Sequence, residues 1–317
     1  TILSEAGSLQ LEFRCLAERS GQRRFRQAAD AAFEAIQSPG MTGLLPVYLT
    51  PPDHPRPKLL ASKFAFGALA DSYYEYLLKQ WLQSPGEKHF KRLWISVMDE
   101  LPGLLRPRPD AHGSATATPS SFKLVEVAPG GESIWKMDHL SCFAPGMIAL
   151  GLKSLPDEDL IERGRNATWW QLAEGLMASC VELWTHTKSG LAPEFASVRP
   201  KPPYDFIEVP PQGRHSFLRP ETAESLFYLH RFTGNEKYRV WGEKLFKAIL
   251  AHGKVDAGFA SVQDVHALPS QHIDEMQSFV MAETFKYLYL LFSPNESLDL
   301  DRYVLNTEGH PLLKSGL

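Results

Sequence analysis

Several features that would narrow the interpretation are scarce in this sequence. Its 317 residues include only three cysteines, too few for a disulfide scaffold and not spaced for zinc. Their number favours three buried thiols and leaves open one disulfide plus one free thiol. The net charge of −4 provides no basic field for nucleic acid. No apolar run approaches the roughly eighteen residues of a membrane span, so the 44% hydrophobic content predicts a large globular core.

The start of the chain lacks the pattern of a signal peptide. It begins at Thr1 without methionine, and no basic region precedes an apolar stretch. We therefore expect a processed or truncated chain. Two N-glycosylation sequons, at Asn166 and Asn295, indicate a secretory lumen only weakly because such triplets also occur by chance.

The sequence does contain many apolar residues at helical spacing. Residues 11–36 and 224–249 superpose on a Ser-Gly and a Thr-Gly turn, which predicts repeated helical hairpins in an αα solenoid or a closed αα toroid. Short strands are predicted over 122–127 and 206–209, and an exposed insertion over 106–121. Helices are predicted over 8–19, 22–37, 68–83, 88–105, 139–152, within 157–187, from 220 to 232, and over 236–252 and 279–292.

The helix that opens near Pro220 carries charge beside an apolar stripe. Pro220 suits a first helical turn. Glu221 and Glu224 lie three residues apart, so their carboxylates share one side of the helix. Two interpretations remain open: the carboxylates face water and favour the helix dipole, or they serve a buried site, where charge needs a partner or a function.

Other acidic residues also stand at helix ends or next to apolar runs. Taken singly, each is more often a solvated helix residue. A toroid would gather one end of its inner helices around a pocket, where carboxylates suit acid and base work on a glycosidic bond or a hard cation such as Ca²⁺. The acidic residues are Glu12, Asp71, Glu75, Glu194, Glu221, Glu224, Glu283 and Glu308.

Five segments carry recognisable motifs: 70–79, 136–140, 219–229, 278–288 and 306–312. Together they resemble the class I α-1,2-mannosidases, glycoside hydrolase family 47. The resemblance implies an all-α fold, an (αα)₇ barrel, and a Ca²⁺-dependent inverting hydrolase. The substrate implied is terminal α-1,2-linked mannose on high-mannose N-glycans, in the lumen of the endoplasmic reticulum or Golgi.

The resemblance also implies roles for individual residues. Glu221 matches the general base that activates water, and Asp71 matches an essential acid on the other side of the scissile bond. Thr307 matches the residue that binds Ca²⁺ through its hydroxyl and carbonyl oxygens, and Phe279 the aromatic that stacks on mannose. The acids that hold the metal's waters or contact the sugar match Glu224, Glu283 and Glu308.

Further pocket positions and a disulfide follow from the same resemblance. The family pairing joins Cys142 to Cys180 and leaves Cys15 free, which implies an oxidising compartment. The polar pocket positions are Glu12, Asp138, His139, Glu194 and Arg219.

Two departures from the family pattern affect the interpretation. An earlier motif, a Glu followed by Thr-Thr, Arg and Leu-Gly-Gly, is absent, so residues 1–317 correspond to the later two-thirds of one catalytic domain without its first hairpins. A separate N-terminal segment would have to supply that motif, and the family's membrane anchor would lie upstream. Leu69 stands where the endoplasmic reticulum subgroup has Arg, which favours the broad trimming of the Golgi subgroup.

Two alternatives to an enzyme remain open. The absent acid motif leaves room for a lectin-like member that binds mannose without cleaving it, or for an inactive fragment. An unrelated αα toroid would share the hairpins but not the five segments. Release of free mannose, abolished by Glu221→Gln, separates an enzyme from a lectin.

Overall fold

The computed structural model describes residues 1–37, 40–50, 58–108 and 121–315. These residues are mainly helical, as predicted. Within them, no helix combines the length and the apolar character needed to cross a membrane. The α-helices are α1 Leu3–Gly7, α2 Gln10–Ser20, α3 Arg23–Gln37, α4 Asp71–Gln83, α5 Lys88–Glu100, α6 Ala144–Ser154, α7 Asp157–Ile161, α8 Arg165–Thr185, α9 Glu221–Thr233, α10 Lys237–His252 and α11 Lys286–Phe292.

Short antiparallel strands accompany the helices. They form two-stranded pairs, except for one three-stranded sheet in the order β5-β6-β7. The strands are β1 Leu105–Arg108, β2 Ser121–Leu124, β3 Glu126–Val127, β4 Ser133–Ile134, β5 Lys136–Asp138, β6 Phe195–Val198, β7 Phe206–Glu208, β8 Lys254–Val255, β9 Gly258–Phe259, β10 Ser261–Val262, β11 His272–Ile273, β12 Tyr303–Leu305 and β13 Pro311–Leu313.

The edges of the predicted insertion are ordered strands. β1 pairs with β2 from Leu105 opposite Leu124 to Arg108 opposite Ser121. Ser121 is buried. The remainder of the predicted insertion, 109–120, lies outside the described residues.

Several predicted helices are interrupted where the structure turns more tightly or more loosely. The segment predicted as a helix over 139–152 begins as a 3₁₀ turn, His139–Phe143, and becomes α6 with Pro145 in its first turn. Arg163 is left-handed and separates α7 from α8. The last predicted helix begins as a π-helix, Val280–Phe285, which widens the turn before α11.

The contacts divide the chain into two compact units. Unit 1 comprises Thr1–Leu104, Glu126–Ile134 and Leu298–Leu317. Unit 2 comprises Leu105–Val125 and Trp135–Ser297.

In unit 1, helix α4 is the most deeply buried element. It packs against α1, α2 and α5, and the β12–β13 hairpin lies beside it. Tyr73, Tyr74 and Tyr76 are each at most 1% exposed, which confirms them as core residues. The buried guanidinium of Arg14 lies 2.7 Å from Asp30 and 3.2 Å from Glu87, so its charge is compensated inside the unit.

In unit 2, helices α6, α8 and α9 pack against one another. A Cβ atom at Gly146 of α6 would lie 2.9 Å from the Cα atom of Ser225 in α9, so glycine is needed for this close approach. A disulfide joins Cys142 to Cys180, and Cys15 of unit 1 is a free, partly exposed thiol. The pairing implied by the family resemblance is therefore confirmed.

The internal repeat corresponds to two real helical hairpins, α2–α3 and α9–α10. Gly21 follows α2 with φ +68°, and Gly234 follows α9 with φ +66°. This left-handed conformation ends a helix at little cost only when the residue is glycine. The Ser-Gly and Thr-Gly turns seen in the sequence thus have the same conformational cause.

Candidate active site

The acidic start of α9 is buried. The α-helix begins at Glu221, one residue after Pro220, and residues from Thr222 to Leu229 are buried. The side chain of Glu221 is 14% exposed and Glu224 is 9% exposed. The interpretation in which both carboxylates face water is therefore wrong, and the one in which they serve a buried site fits.

The Glu221 carboxylate has one oxygen in an unusual setting. Oε2 is shielded from solvent and accepts no hydrogen bond from the described residues. It lies 3.2 Å from Nδ1 of His139 but forms no hydrogen bond with it. A shielded carboxylate oxygen with free lone pairs can accept a proton from a water or a sugar hydroxyl that enters the site.

His139 is fixed from several directions. Its Nε2 lies 2.8 Å from Oγ1 of Thr222, and its ring meets the Trp184 ring edge-on with centroids 5.9 Å apart. Its backbone N–H donates to the carbonyl oxygen of Glu194 at 2.9 Å. The ring is only 2% exposed, so protein groups surround it in place of water.

A second group of predicted residues forms around Arg219. Its Nε donates to Oε2 of Glu194 at 2.6 Å, a charge-assisted pair. The guanidinium lies 5.4 Å from the ring centroid of Phe279. Phe279 remains partly exposed. The three predicted pocket residues therefore meet in unit 2, where they present a carboxylate, a guanidinium and an aromatic face.

Glu224 and Glu283 both lie on elements that face the interior of unit 2. The Tyr287 hydroxyl donates to Oε1 of Glu224 at 3.3 Å. Glu283 is 8% exposed and belongs to the π-helix. Its neighbour Thr284 donates from Oγ1 to the carbonyl oxygen of Leu218 at 2.7 Å, which ties the π-helix to the segment that leads into α9.

Asp138 stands apart from these contacts. Its carboxylate pairs with Nζ of Lys136 at 2.8 Å along the same strand, and the side chain is 8% exposed. The structure therefore shows a compensated charge at Asp138, next in sequence to His139.

In unit 1, Asp71 is the first residue of α4. Its Oδ1 accepts a hydrogen bond from the backbone N–H of Ser72 at 2.9 Å, and a carboxylate at this position favours the helix dipole. Leu69, two residues earlier, has φ +81°, a conformation that costs a non-glycine residue about 1–2 kcal/mol. The backbone is thus strained directly before the predicted acid.

Glu12 lies in a separate polar cluster of unit 1. Its Oε1 accepts hydrogen bonds from the Tyr76 hydroxyl at 2.6 Å and from Nδ2 of Asn306 at 2.7 Å, while Oε2 is shielded and without a described partner. Burial and the Glu12 charge raise the pKa of Tyr76 well above its usual value, so the phenol stays protonated and donates. Glu12 and Glu308 line the same 410 Å³ pocket.

Thr307 offers oxygen atoms that suit a hard cation. Its backbone N–H donates to the Tyr76 hydroxyl at 3.3 Å, and neither its hydroxyl nor its carbonyl oxygen accepts a hydrogen bond from a described residue. Across residues 1–37, 40–50, 58–108 and 121–315, no group of three or more His, Cys, Asp or Glu could hold a metal by itself. Hydroxyl and backbone carbonyl oxygens such as those of Thr307 are ligands of the type that Ca²⁺ prefers. Glu308 is 71% exposed and lies 3.8 Å from His310.

Four residues with structural roles in these clusters were not predicted from the sequence. Tyr76 and Asn306 hold Glu12, and Asn306 stands directly before Thr307. Thr222 and Trp184 surround His139. Thr222 belongs to the recognised segment 219–229, next to Glu221. The residues around Trp184 give no indication that it pairs with Thr222.

The similarity of this chain to known proteins extends over nearly its whole length. The family model described as glycosyl hydrolase family 47 matches residues 1–314. The chain is 38% identical to the mannosyl-oligosaccharide 1,2-alpha-mannosidase MNS1 of Arabidopsis thaliana, over 98% of this chain and 52% of that protein. It is 37% identical to the human endoplasmic reticulum mannosyl-oligosaccharide 1,2-alpha-mannosidase, over 98% of this chain and 43% of that protein. The chain spans about half the length of the curated relatives it matches.

The fold has a solved counterpart. The alpha-1,2-mannosidase from Trichoderma reesei superposes with a TM-score of 0.82 and 25% identity, over 99% of this chain and 66% of that chain. The helical hairpins, the short strands and the family match all indicate the same family. The chain belongs to glycosyl hydrolase family 47.

Proposed function

We propose that this chain hydrolyses terminal α-1,2-linked mannose from high-mannose N-glycans. The names of its relatives support this substrate class. The observation that carries the proposal is the Glu221 carboxylate, shielded from solvent, with one oxygen that no described residue occupies. The geometry suits a general base that must accept a proton from a bound water.

In the proposed reaction, Glu221 removes a proton from a water as that water attacks the anomeric carbon. The glycosidic bond breaks on the opposite face of the sugar, and an acid protonates the departing oxygen. The family resemblance assigns Asp71 to that face, and it gives the Glu of the absent N-terminal motif as the other candidate for the proton donor. Attack on the face opposite the leaving group inverts the configuration, so the first product is β-mannose.

Binding of the mannose ring falls to the cluster around Arg219. Phe279 offers an aromatic face, and Arg219, paired with Glu194, offers N–H donors to hydroxyl oxygens. Because the Glu194 pair fixes Arg219, little side-chain entropy remains to be lost when a sugar binds.

Calcium is a proposed requirement of the same reaction. Thr307 would hold the ion through its hydroxyl and carbonyl oxygens, and Glu308 would act through a water. Glu283 is a further water-mediated acid that the family resemblance implies. When bound, the ion would be coordinated by oxygen atoms of the protein, waters and the sugar, and would thereby orient the sugar hydroxyls. The free oxygens of Thr307 support this assignment.

A secretory lumen is the proposed compartment, and Leu69 favours removal of several mannoses, as in the Golgi subgroup. The Cys142–Cys180 disulfide supports an oxidising environment. A complete enzyme with Leu69 that stopped after one mannose would contradict the broad trimming.

The test is incubation of the chain with a high-mannose glycan and Ca²⁺, with free mannose quantified and its anomer identified by NMR. We expect β-mannose, lost when Ca²⁺ is chelated and lost in Glu221→Gln. The control is Glu243→Gln, because Glu243 is an exposed residue paired with Lys247. Glycan binding without release would contradict the proposal and favour a lectin.

A further inference from the structure

Three side chains, those of Trp184, Thr222 and His139, form a continuous series of polar contacts that ends at Glu221. Nε1 of Trp184 donates to Oγ1 of Thr222 at 3.1 Å. The same Oγ1 lies 2.8 Å from Nε2 of His139, whose Nδ1 lies 3.2 Å from Oε2 of Glu221. Thr222 is 0% exposed, and His139 and Trp184 are 2% exposed, so water cannot replace these contacts from outside.

The direction of each hydrogen bond follows from proton counting. An indole N–H only donates, so Thr222 accepts from Trp184. The Thr222 hydroxyl retains its own proton, and Nε2 of His139 is the acceptor that the described residues place within its reach. Nε2 therefore carries no proton, and the neutral ring holds its proton on Nδ1, facing Glu221.

The reverse arrangement leaves a buried group unsatisfied. If Nε2 carried a proton, Thr222 Oγ1 would accept from both His139 and Trp184, and its hydroxyl proton would have no described partner. An unsatisfied buried donor costs about 1–3 kcal/mol. The network therefore selects one tautomer.

We propose that Trp184 and Thr222 are positioning residues that hold His139 with its proton on Nδ1 and thereby orient the Glu221 carboxylate. This inference rests on the proposed function, in which Glu221 is the base. The Nδ1–H group stands ready to donate to Oε2 once a bound sugar or water shifts the carboxylate into line, since catalytic hydrogen bonds often tighten only in the complex.

The first test needs no substrate. Nitrogen-15 NMR of the histidine rings, at a pH where histidine is ordinarily neutral, reports which nitrogen carries the proton; a His139→Asn spectrum assigns the signal. We expect Nδ1–H in the wild type, a tautomer mixture in Thr222→Val and Trp184→Phe, and the wild-type pattern in Thr222→Ser. A wild-type ring protonated on Nε2 would overturn the proposal.

The second test is kinetic. Loss of a group that orients a functional side chain typically costs about 10–100-fold, so Thr222→Val should lower kcat by about that factor. KM should change little, because none of the substituted groups binds mannose. Thr222→Ser should restore the rate. The melting temperatures of the variants separate this effect from a general loss of folding.

The two proposals fail in different ways. If the wild-type chain releases no mannose, the proposed function fails, while the NMR result still decides the tautomer. If the wild type is active and Thr222→Val mixes the tautomers without lowering kcat, the positioning role is overturned and the proposed function stands.

Discussion

The starts of α4 and α9 are built alike, although they belong to different units. Each α-helix begins with an acid, Asp71 or Glu221. Each acid follows closely on a leucine in the left-handed region, Leu69 with φ +81° and Leu218 with φ +58°. Both helices thus begin shortly after a strained backbone position, and such strain is found often at functional sites.

The surroundings of the two acids differ. Asp71 Oδ1 accepts from Ser72, its own neighbour in the chain. Glu221 lies 3.2 Å from His139, which comes from a distant part of the sequence. Thr284 of the π-helix donates to the backbone of the turn before α9. The orientation of Glu221 therefore depends on tertiary contacts, and substitutions far from α9 in sequence should reach it.

The largest expected effect concerns the two acids themselves. Asp71→Asn and Glu221→Gln should each lower mannose release by about a thousandfold or more, within the range that acid and base groups contribute. Both changes keep the side-chain shape, so the melting temperature should move little. Rates and melting curves measured side by side check this. A retained rate in either variant would break the parallel between the two helix starts.

The next prediction compares the stability cost of replacing the cysteines of unit 2 with that of replacing the cysteine of unit 1. The Cys142–Cys180 bond closes a separation of 38 residues, and its loss should cost about 3–4 kcal/mol of unfolding free energy. Replacing both by alanine should lower the urea midpoint, with hydrogen exchange rising in unit 2 first. Cys15→Ala is the matched control and should cost far less, because that thiol is unbonded. Equal losses in the two variants would contradict the prediction.

A smaller effect is expected at Glu12 in unit 1. Glu12→Gln can still accept from Tyr76 and Asn306, but it places an amide donor at the shielded Oε2 position, where the described residues offer no acceptor. An unsatisfied buried donor should cost about 1–3 kcal/mol. The exposed Glu34→Gln is the control for urea unfolding. A neutral Glu12→Gln would show that the Oε2 position already has an acceptor or solvent within reach.

The smallest effect tests the repeated hairpins. Gly21→Ala and Gly234→Ala should each cost about 1–2 kcal/mol, because a Cβ atom disfavours the left-handed conformation. A Cβ atom at either position would meet no heavy atom within 4 Å, so the backbone alone sets the cost. Gly130→Ala, equally open but without a positive φ, should be nearly neutral. Unequal losses at Gly21 and Gly234 would show that the two turns are not equivalent.

Much of the fold could be predicted from the sequence, because helix formation depends on residues three and four apart. Apolar spacing predicted the α2–α3 and α9–α10 hairpins, and their glycine turns are confirmed. The π-helix at Val280–Phe285 and the break at Arg163 could not be predicted, because packing against other elements decides how tightly a helix turns.

The residues of the site also include some that could be predicted from the sequence and some that could not. The acids, Arg219, Phe279 and the Cys142–Cys180 pair could be assigned by resemblance to a family. The partners of those residues could not: Tyr76 on Glu12 and Trp184 on Thr222 are contacts between distant segments. Apolar periodicity alone gives no reason to pair them.

Local sequence is enough to define the helical hairpins, the turns that close them and the motifs shared with a glycoside hydrolase family. Local sterics and short-range spacing are enough for these features. Contacts between distant segments shield Glu221 and Glu224 from water. They also set which carboxylate oxygens accept no hydrogen bond from the described residues, and which nitrogen of His139 faces Glu221. These properties arise when segments far apart in the chain exclude water from the same small volume.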